Sequence, residues 1–234
     1  MSRSGMGISR QHEVAMTYQV VCSPRRTTVS LQVSREGVTV RCPTGIPLAK
    51  VEALVFEHRD WIRRKQAELA ERPLPLPRTF ADGEMFLYLG DPLQLQRDPA
   101  GAAIRREAGI LLVPNGEAHV VKALISEWYV AQAQVVIPQR VEHYRHQLGV
   151  GMPPVLIRNP RKRWGSCNTK GELRFNWRIM MAPLQVLDYV VVHELCHLRH
   201  LNHSRQFWAC VGSLLPDYQD RKHLLKQISH RLDL

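Results

Sequence analysis

The sequence predicts an α+β fold, and three observations predict it. Alternating, β-branched runs fill much of the stretch up to about residue 115. Helical spacing of apolar residues then takes over in two long stretches near the C-terminus. Prolines and turn residues punctuate the changes between the two patterns. The 234 residues are 44% hydrophobic and 23% charged, a balance that suits a packed core and argues against global disorder.

Between Met16 and Arg41 the segments YQVV, TVSLQV and VTVRC read as strands, the last two joined by the turn Ser34, Arg35, Glu36 and Gly37. From Leu48 to Leu69 apolar residues including Val51, Leu54, Val55, Trp61 and Ile62 recur at helical spacing, giving one amphipathic helix. The run RPLPLPR, 72–78, removes backbone donors and ends it. FLYLG and LQLQ form a second β pair with Gly90, Asp91 and Pro92 between them, and ILLV comes next, before the turn at Pro114, Asn115 and Gly116.

Helical character runs from Val120 to Leu148, with Leu124, Trp128, Val135 and Val141 among the apolar positions and Pro138 expected to kink or divide the helix. VLIRN and LRFNWRIMM read as strands joined by the polar stretch RKRWGSCNTKGE, with a turn at Thr169, Lys170 and Gly171. From Leu184 onward the pattern is helical. The composition shift places a domain boundary between Asp98 and Glu117, giving a β-rich region with one amphipathic helix over 1–105 and a second domain over 106–234. No internal repeat stands out.

The N-terminus has no apolar core of a secretory signal, and no apolar run approaches the length of a membrane-spanning helix. Five scattered cysteines without a CxxC pair suit reduced thiols, so a cytoplasmic protein with no membrane partner is expected. A net charge of +11 would attract anionic nucleotides or nucleic acid, or simply form a solvated basic face.

The chemistry is concentrated in DYVVVHELCHLRHLNHSRQFW, where His193, Glu194 and His197 form an HExxH motif in an apolar, helix-compatible run. On a helix, residues four apart lie one turn along and about 40° around, so His193 and His197 can grip one ion. Glu194 sits beside them, placed as a general base that takes the proton of a metal-activated water. A catalytic zinc needs a third protein ligand and an open position. His203 follows His197 by six residues, a spacing that requires a turn at Leu201 to His203, with Ser204 capping the next helix. Position His200 holds no glycine at the bend, and its own side chain fits a supporting place better than a ligand's. Cys196 reads as a core thiol. Met180 and Met181 precede the motif and read as packing.

Arg161, Lys162 or Arg163 would supply positive charge to a developing oxyanion, with Trp164 and Gly165 shaping the edge that faces substrate. The same residues also fit a core tryptophan and a solvated turn, and the sequence leaves both readings open. Phe175 and Trp177 alternate with Arg174, Asn176 and Arg178 as on a half-buried strand, and Phe207 and Trp208 read as packing for the helix after His203.

The run HELCHLRHLNHSRQFW, with RKRWGSCNTKGELRFNWRIMMAP, DGEMFLYLG, RRTTVSLQVSREGVTVRCPTGIP and HRDWIRRKQ, resembles the YgjP-like metal-dependent hydrolases, a zincin-type group related to the SprT and Wss1 proteases. The resemblance implies a zincin-like core over 106–234: a small sheet, a support helix and the HExxH helix, with Zn2+ or another divalent transition metal on His193, His197 and His203. It implies a metallopeptidase acting on a peptide or protein. Two alternatives stay open. One is a metal-dependent nucleotide pyrophosphohydrolase using the same water on an anionic nucleotide; the other is a non-enzymatic, nucleic-acid-associated zinc module.

Overall fold

The computed structural model describes residues 4–8, 16–71, 78–160 and 162–234. The chain divides into two compact units, 1–74 and 75–234. In the first, strands β1 (Ser4–Ile8), β2 (Thr17–Ser23), β3 (Ser30–Ser34) and β4 (Gly37–Pro43) form a sheet of order β1-β2-β4-β3. β2 and β4 are parallel and the outer pairs antiparallel. Helices α1 (Leu48–Glu57) and α2 (Arg59–Glu71) come after the sheet. Tyr18, Val38 and Val40 from the sheet pack with Val51, Val55 and Ile62 from the helices.

The single helix expected over 48–69 is two, because the backbone at His58 departs from helical values (φ −98°, ψ 10°). Ile62 is buried after the break, whereas Trp61 is exposed, so the apolar period does not run unbroken through both helices. α2 ends at Glu71; most of the proline run behind it, 72–77, lies outside the described residues.

The second unit opens with β5 (Met85–Tyr88), β6 (Asp91–Asp98), β7 (Arg105–Glu107) and β8 (Ile110–Pro114). Their order, β5-β6-β8-β7, and their pairing senses repeat those of the first sheet. This repetition of topology has no counterpart in a repeated sequence. The β5–β6 turn is Leu89-Gly90, with Asp91 and Pro92 already in the strand, because both turn residues adopt positive φ as a tight hairpin requires. The expected boundary at 105/106 falls inside β7, and the units divide instead at Leu74–Pro75. The β5–β8 sheet belongs with the C-terminal helices: its Phe86, Leu93, Leu95, Leu111 and Val113 are buried in one core with α3 (Ala118–Leu148).

α3 is the support helix. It passes through Pro138 without dividing, with Ile137 and Val141 buried on either side. Its buried residues Val121, Ile125, Tyr129, Ala133, Ile137 and Val141 recur every fourth position. Each such step turns about 40° round the axis, so the buried stripe winds about half-way round the helix and meets different neighbours along it. This is why no single apolar face was legible and why Val135 is exposed. Among the described residues α3 alone is long and apolar enough to cross a membrane by length and composition; here its stripe is core.

A three-stranded sheet of order β10-β11-β9 completes the unit's β structure, built from β9 (Val155–Arg158), β10 (Gly165–Cys167) and β11 (Leu173–Asn176). β11 does not continue through WRIMM as expected. The Asn176 side chain accepts a hydrogen bond from the Arg178 backbone N–H and starts a 3-10 turn, Trp177–Met181, that buries Trp177 against Tyr129 with ring centroids 5.8 Å apart. Helices α4 (Leu184–Cys196), α5 (Arg205–Leu214) and α6 (Tyr218–Ile228) end the unit. Small sheet, support helix and HExxH helix thus stand as the α+β, zincin-like reading expects.

Candidate metal centre

α4 is apolar almost throughout, and its burial from Val186 to Cys196 fixes the rotation of the helix. Two ties hold it to α3. Val190, Val191 and Leu195 lie in the core shared with Ile137 and Val141. Arg140 on α3 grips buried Asp188 at both carboxylate oxygens, at 2.6 and 2.9 Å, and the Tyr144 hydroxyl donates to the same carboxylate at 3.0 Å. The paired, hydrogen-bonded geometry offsets the cost of burying the Asp188 charge.

With α4 so fixed, His193 and His197 project one turn apart, their ring centroids 5.0 Å from each other. The helix ends at Cys196, and the chain bends through Leu201 and Asn202 to His203 before α5 begins. Ser204 caps α5, its Oγ accepting from the Phe207 N–H at 3.3 Å. The expected break and cap are therefore both present. His203 returns to lie 4.9 Å from the His193 ring and 4.8 Å from the His197 ring. One ligand atom from each of the three residues falls within 4.8 Å of the others.

The donor chemistry fits a divalent transition metal. The His203 and His193 Nε2 atoms are 3.0 Å apart, a spacing at which two imidazole nitrogens share either a proton or a cation. His197 directs Nδ1 to the His200 carbonyl at 3.0 Å, which sets the tautomer with Nε2 free to ligate. His200 thus acts through its backbone, and its side chain stands apart from the triad. Burial first, then the neighbouring His197, His203 and Lys222, push His193 down to about 3, so its imidazole is neutral. Burial and the charges of His197 and Lys222 lower His203 as well. Cys196 is fully buried and outside the triad.

Glu194 is 6% exposed. Burial raises its carboxyl to about 7, partly opposed by the Arg163 charge and by the Cys167 backbone amide. The strand over it comes within van der Waals limits only because residue 165 is glycine: a Cβ there would stand 2.6 Å from both Cγ and Oε1 of Glu194. Triad and carboxylate open onto a cleft of about 320 Å³ whose other walls are Gly165, Ser166, Cys167 and Leu201.

Of the residues expected to face substrate, Gly165 lines this cleft and Arg163 acts on Glu194 by its charge. Trp164 is half-buried against the core and not a cleft wall. Arg161 lies outside the described residues. Sequence reasoning put the candidates within 161–167 but gave Ser166 and Cys167, both cleft walls, no role of their own, since a three-residue strand carries no periodicity to find. It also missed the Arg140–Asp188 clamp, whose only signal was an aspartate inside an apolar helical run.

Residues 27–228 match the family described as YgjP-like, metallopeptidase domain. Two solved structures are similar to part of the chain. The metallopeptidase zymogen abylysin of Pyrococcus abyssi is 24% identical, over 42% of this chain and 95% of its own, with a TM-score of 0.37. The metallopeptidase zymogen jannalysin of Methanocaldococcus jannaschii is 20% identical, over 42% of this chain and 97% of its own, with a TM-score of 0.36. No curated protein matches the chain.

Proposed function

The chain belongs to the YgjP-like metallopeptidase-domain family, and on that premise we propose that it is a zinc-dependent peptidase with His193, His197 and His203 as metal ligands and Glu194 as general base. The observation that carries this reading is the convergence of three imidazoles beside a buried carboxylate on an open cleft. Three nitrogen donors with room for a fourth, exchangeable position suit zinc. A divalent metal held there supplies Lewis acidity, polarising a carbonyl and making water a better nucleophile.

The chain's own residues do the rest. His197, locked by the His200 carbonyl, and His193, neutral in its buried setting, present lone pairs without first losing a proton. Glu194 takes a proton from the attacking water and returns it to the departing amine; in the metal-free chain burial raises its carboxyl to about 7, and the charge of a bound cation acts in the opposite direction. β10 is an edge strand of its sheet, so its outward backbone groups can align an extended peptide along the cleft by main-chain hydrogen bonds. In this reading Arg163, whose charge reaches Glu194, and the Gly165 backbone on the cleft wall supply the stabilisation of the developing oxyanion. Five free cysteines suit a reducing setting such as the cytoplasm.

The test is hydrolysis by the full chain of an unfolded protein and a peptide library, before and after chelator treatment, with a nucleoside triphosphate panel alongside. Peptide cleavage lost on metal removal and restored by zinc is expected, with nucleotides untouched. Cleavage that survives complete metal removal, or turnover of nucleotides but not peptides, overturns the reading.

A further inference from the structure

Two of the three imidazoles are oriented by means already described: His193 and His197 rise from a buried helix, and His197 is tied through Nδ1. His203 has neither advantage. It sits on the bend before α5 and is exposed. A ligand on a loop reaches its metal only if something fixes the ring plane.

Two aromatic residues of α5 provide that. The Trp208 indole lies nearly parallel to the His203 ring, at 24° with centroids 5.7 Å apart, and Phe207 meets the same ring edge-on at 80° and 4.8 Å. The imidazole is thus boxed by two rings set at right angles to each other (88°). Phe207 is fully buried and also touches His193 and His197, so it is a floor common to the triad. Trp208 is half-buried and lies about as near to His193, at 5.8 Å, as to His203, but it is tilted by 59° to the His193 ring and nearly parallel only to that of His203.

Trp208 is itself held from α6. Tyr218 stacks on it at 17° and 5.4 Å, and Lys222 Nζ lies 4.5 Å from its ring centroid. Gly212, one turn after Trp208 on α5, faces the same Tyr218 ring, and a methyl there would stand 3.6 Å from it, in ordinary van der Waals contact. A continuous stack, His203–Trp208–Tyr218, therefore couples the exposed third imidazole to the C-terminal helix.

We propose that Trp208 is a positioning residue for the metal centre: its indole face, backed by Tyr218, sets the ring plane of His203. The proposal rests on the triad being a metal site, and it is tested on metal affinity so that the two can fail separately. Zinc affinity of the full, metal-stripped chain is measured by competition with a chromophoric chelator. Trp208→Ala and Trp208→Leu should bind about ten- to a hundredfold more weakly than wild type, the usual loss when a ligand's orienting partner is removed.

Trp208→Phe, which keeps an aromatic face, should stay within about threefold. Circular dichroism and thermal unfolding of the metal-free chains separate loss of fold from loss of ligand geometry. If Trp208→Ala does not fold, Trp208→Leu carries the comparison because it fills space without offering a ring. Wild-type affinity in Trp208→Leu, or a loss in Trp208→Phe as large as in Trp208→Leu, overturns the proposal. A wild type that takes up no divalent metal overturns the metal site itself, and this inference with it.

Discussion

Gly165 and Glu194 are in backbone-to-carboxylate contact across the cleft, close enough that a methyl group on residue 165 would stand 2.6 Å from Oε1. The strand thus acts as a stop that fixes the rotamer of the proposed base. Gly165→Ala should displace one or the other at a cost of about 1–3 kcal/mol, typical of overpacking. We predict that kcat falls by about ten- to a hundredfold while zinc content, measured by elemental analysis, stays at the wild-type level. An alanine variant with wild-type kcat would show that the contact does not orient the carboxylate.

Burial of Glu194 also gives the metal-free chain a definite pH signature. Its carboxyl is raised from 4.5 to about 7, so the folded state binds the proton more tightly than the unfolded state. That contribution is fully present below about pH 4.5 and is lost as pH rises through about 7, amounting to on the order of 3 kcal/mol. His193, lowered from 6.5 to about 3, has the opposite sign: its contribution is present above 6.5 and lost as pH falls. Comparing wild type with Glu194→Gln cancels the histidine. Thermal unfolding of both, metal-free, near about pH 5 and about pH 8 should show the glutamine variant gaining relative stability at the higher pH. An equal difference at both values would refute the assignment.

The Arg140–Asp188 clamp, with Tyr144 as third member, should matter more than an exposed ion pair because Asp188 is buried. Arg140→Met leaves that carboxylate with one hydroxyl partner and should destabilise the chain by about 3 kcal/mol. Tyr144→Phe removes one hydrogen bond to a charge and should cost about 1.5 kcal/mol. Urea unfolding of the metal-free chains measures both. Neutral effects would mean that apolar packing alone holds α4 against α3.

How much of this could be read from residue order depends on the range of the forces involved. The HExxH helix, the bend to His203 and the Ser204 cap were legible, because helical periodicity and capping are local properties of a few neighbouring residues. The long support helix was legible in extent but not in its face, because its stripe winds from Val121 to Val141. Strand β10 was not legible: Gly165, Ser166 and Cys167 neither alternate nor branch at Cβ, and only pairing with Phe175, Arg174 and Leu173 makes them a strand.

Trp177 shows the converse error. Alternation with Arg178 suggested a strand, but the Asn176 side chain caps a 3-10 turn and tertiary burial against Tyr129 decides the matter. Trp208 reads in sequence as ordinary packing; that it stacks on His203 and Tyr218 depends on where α6 lies. The domain boundary failed for a related reason. The β5–β8 sheet shares its composition with the first unit but buries its apolar face with α3.

In the proposed mechanism Glu194 moves protons while three imidazoles alone hold the metal, and one paired measurement separates those two roles. Metal content and peptide hydrolysis are determined on the same preparations of wild type and Glu194→Gln. One zinc per chain is expected in both, with cleavage in wild type and a rate reduced by at least about a hundredfold in the variant. A variant that hydrolyses peptide at the wild-type rate, or one that loses its metal along with its activity, would contradict this division of labour.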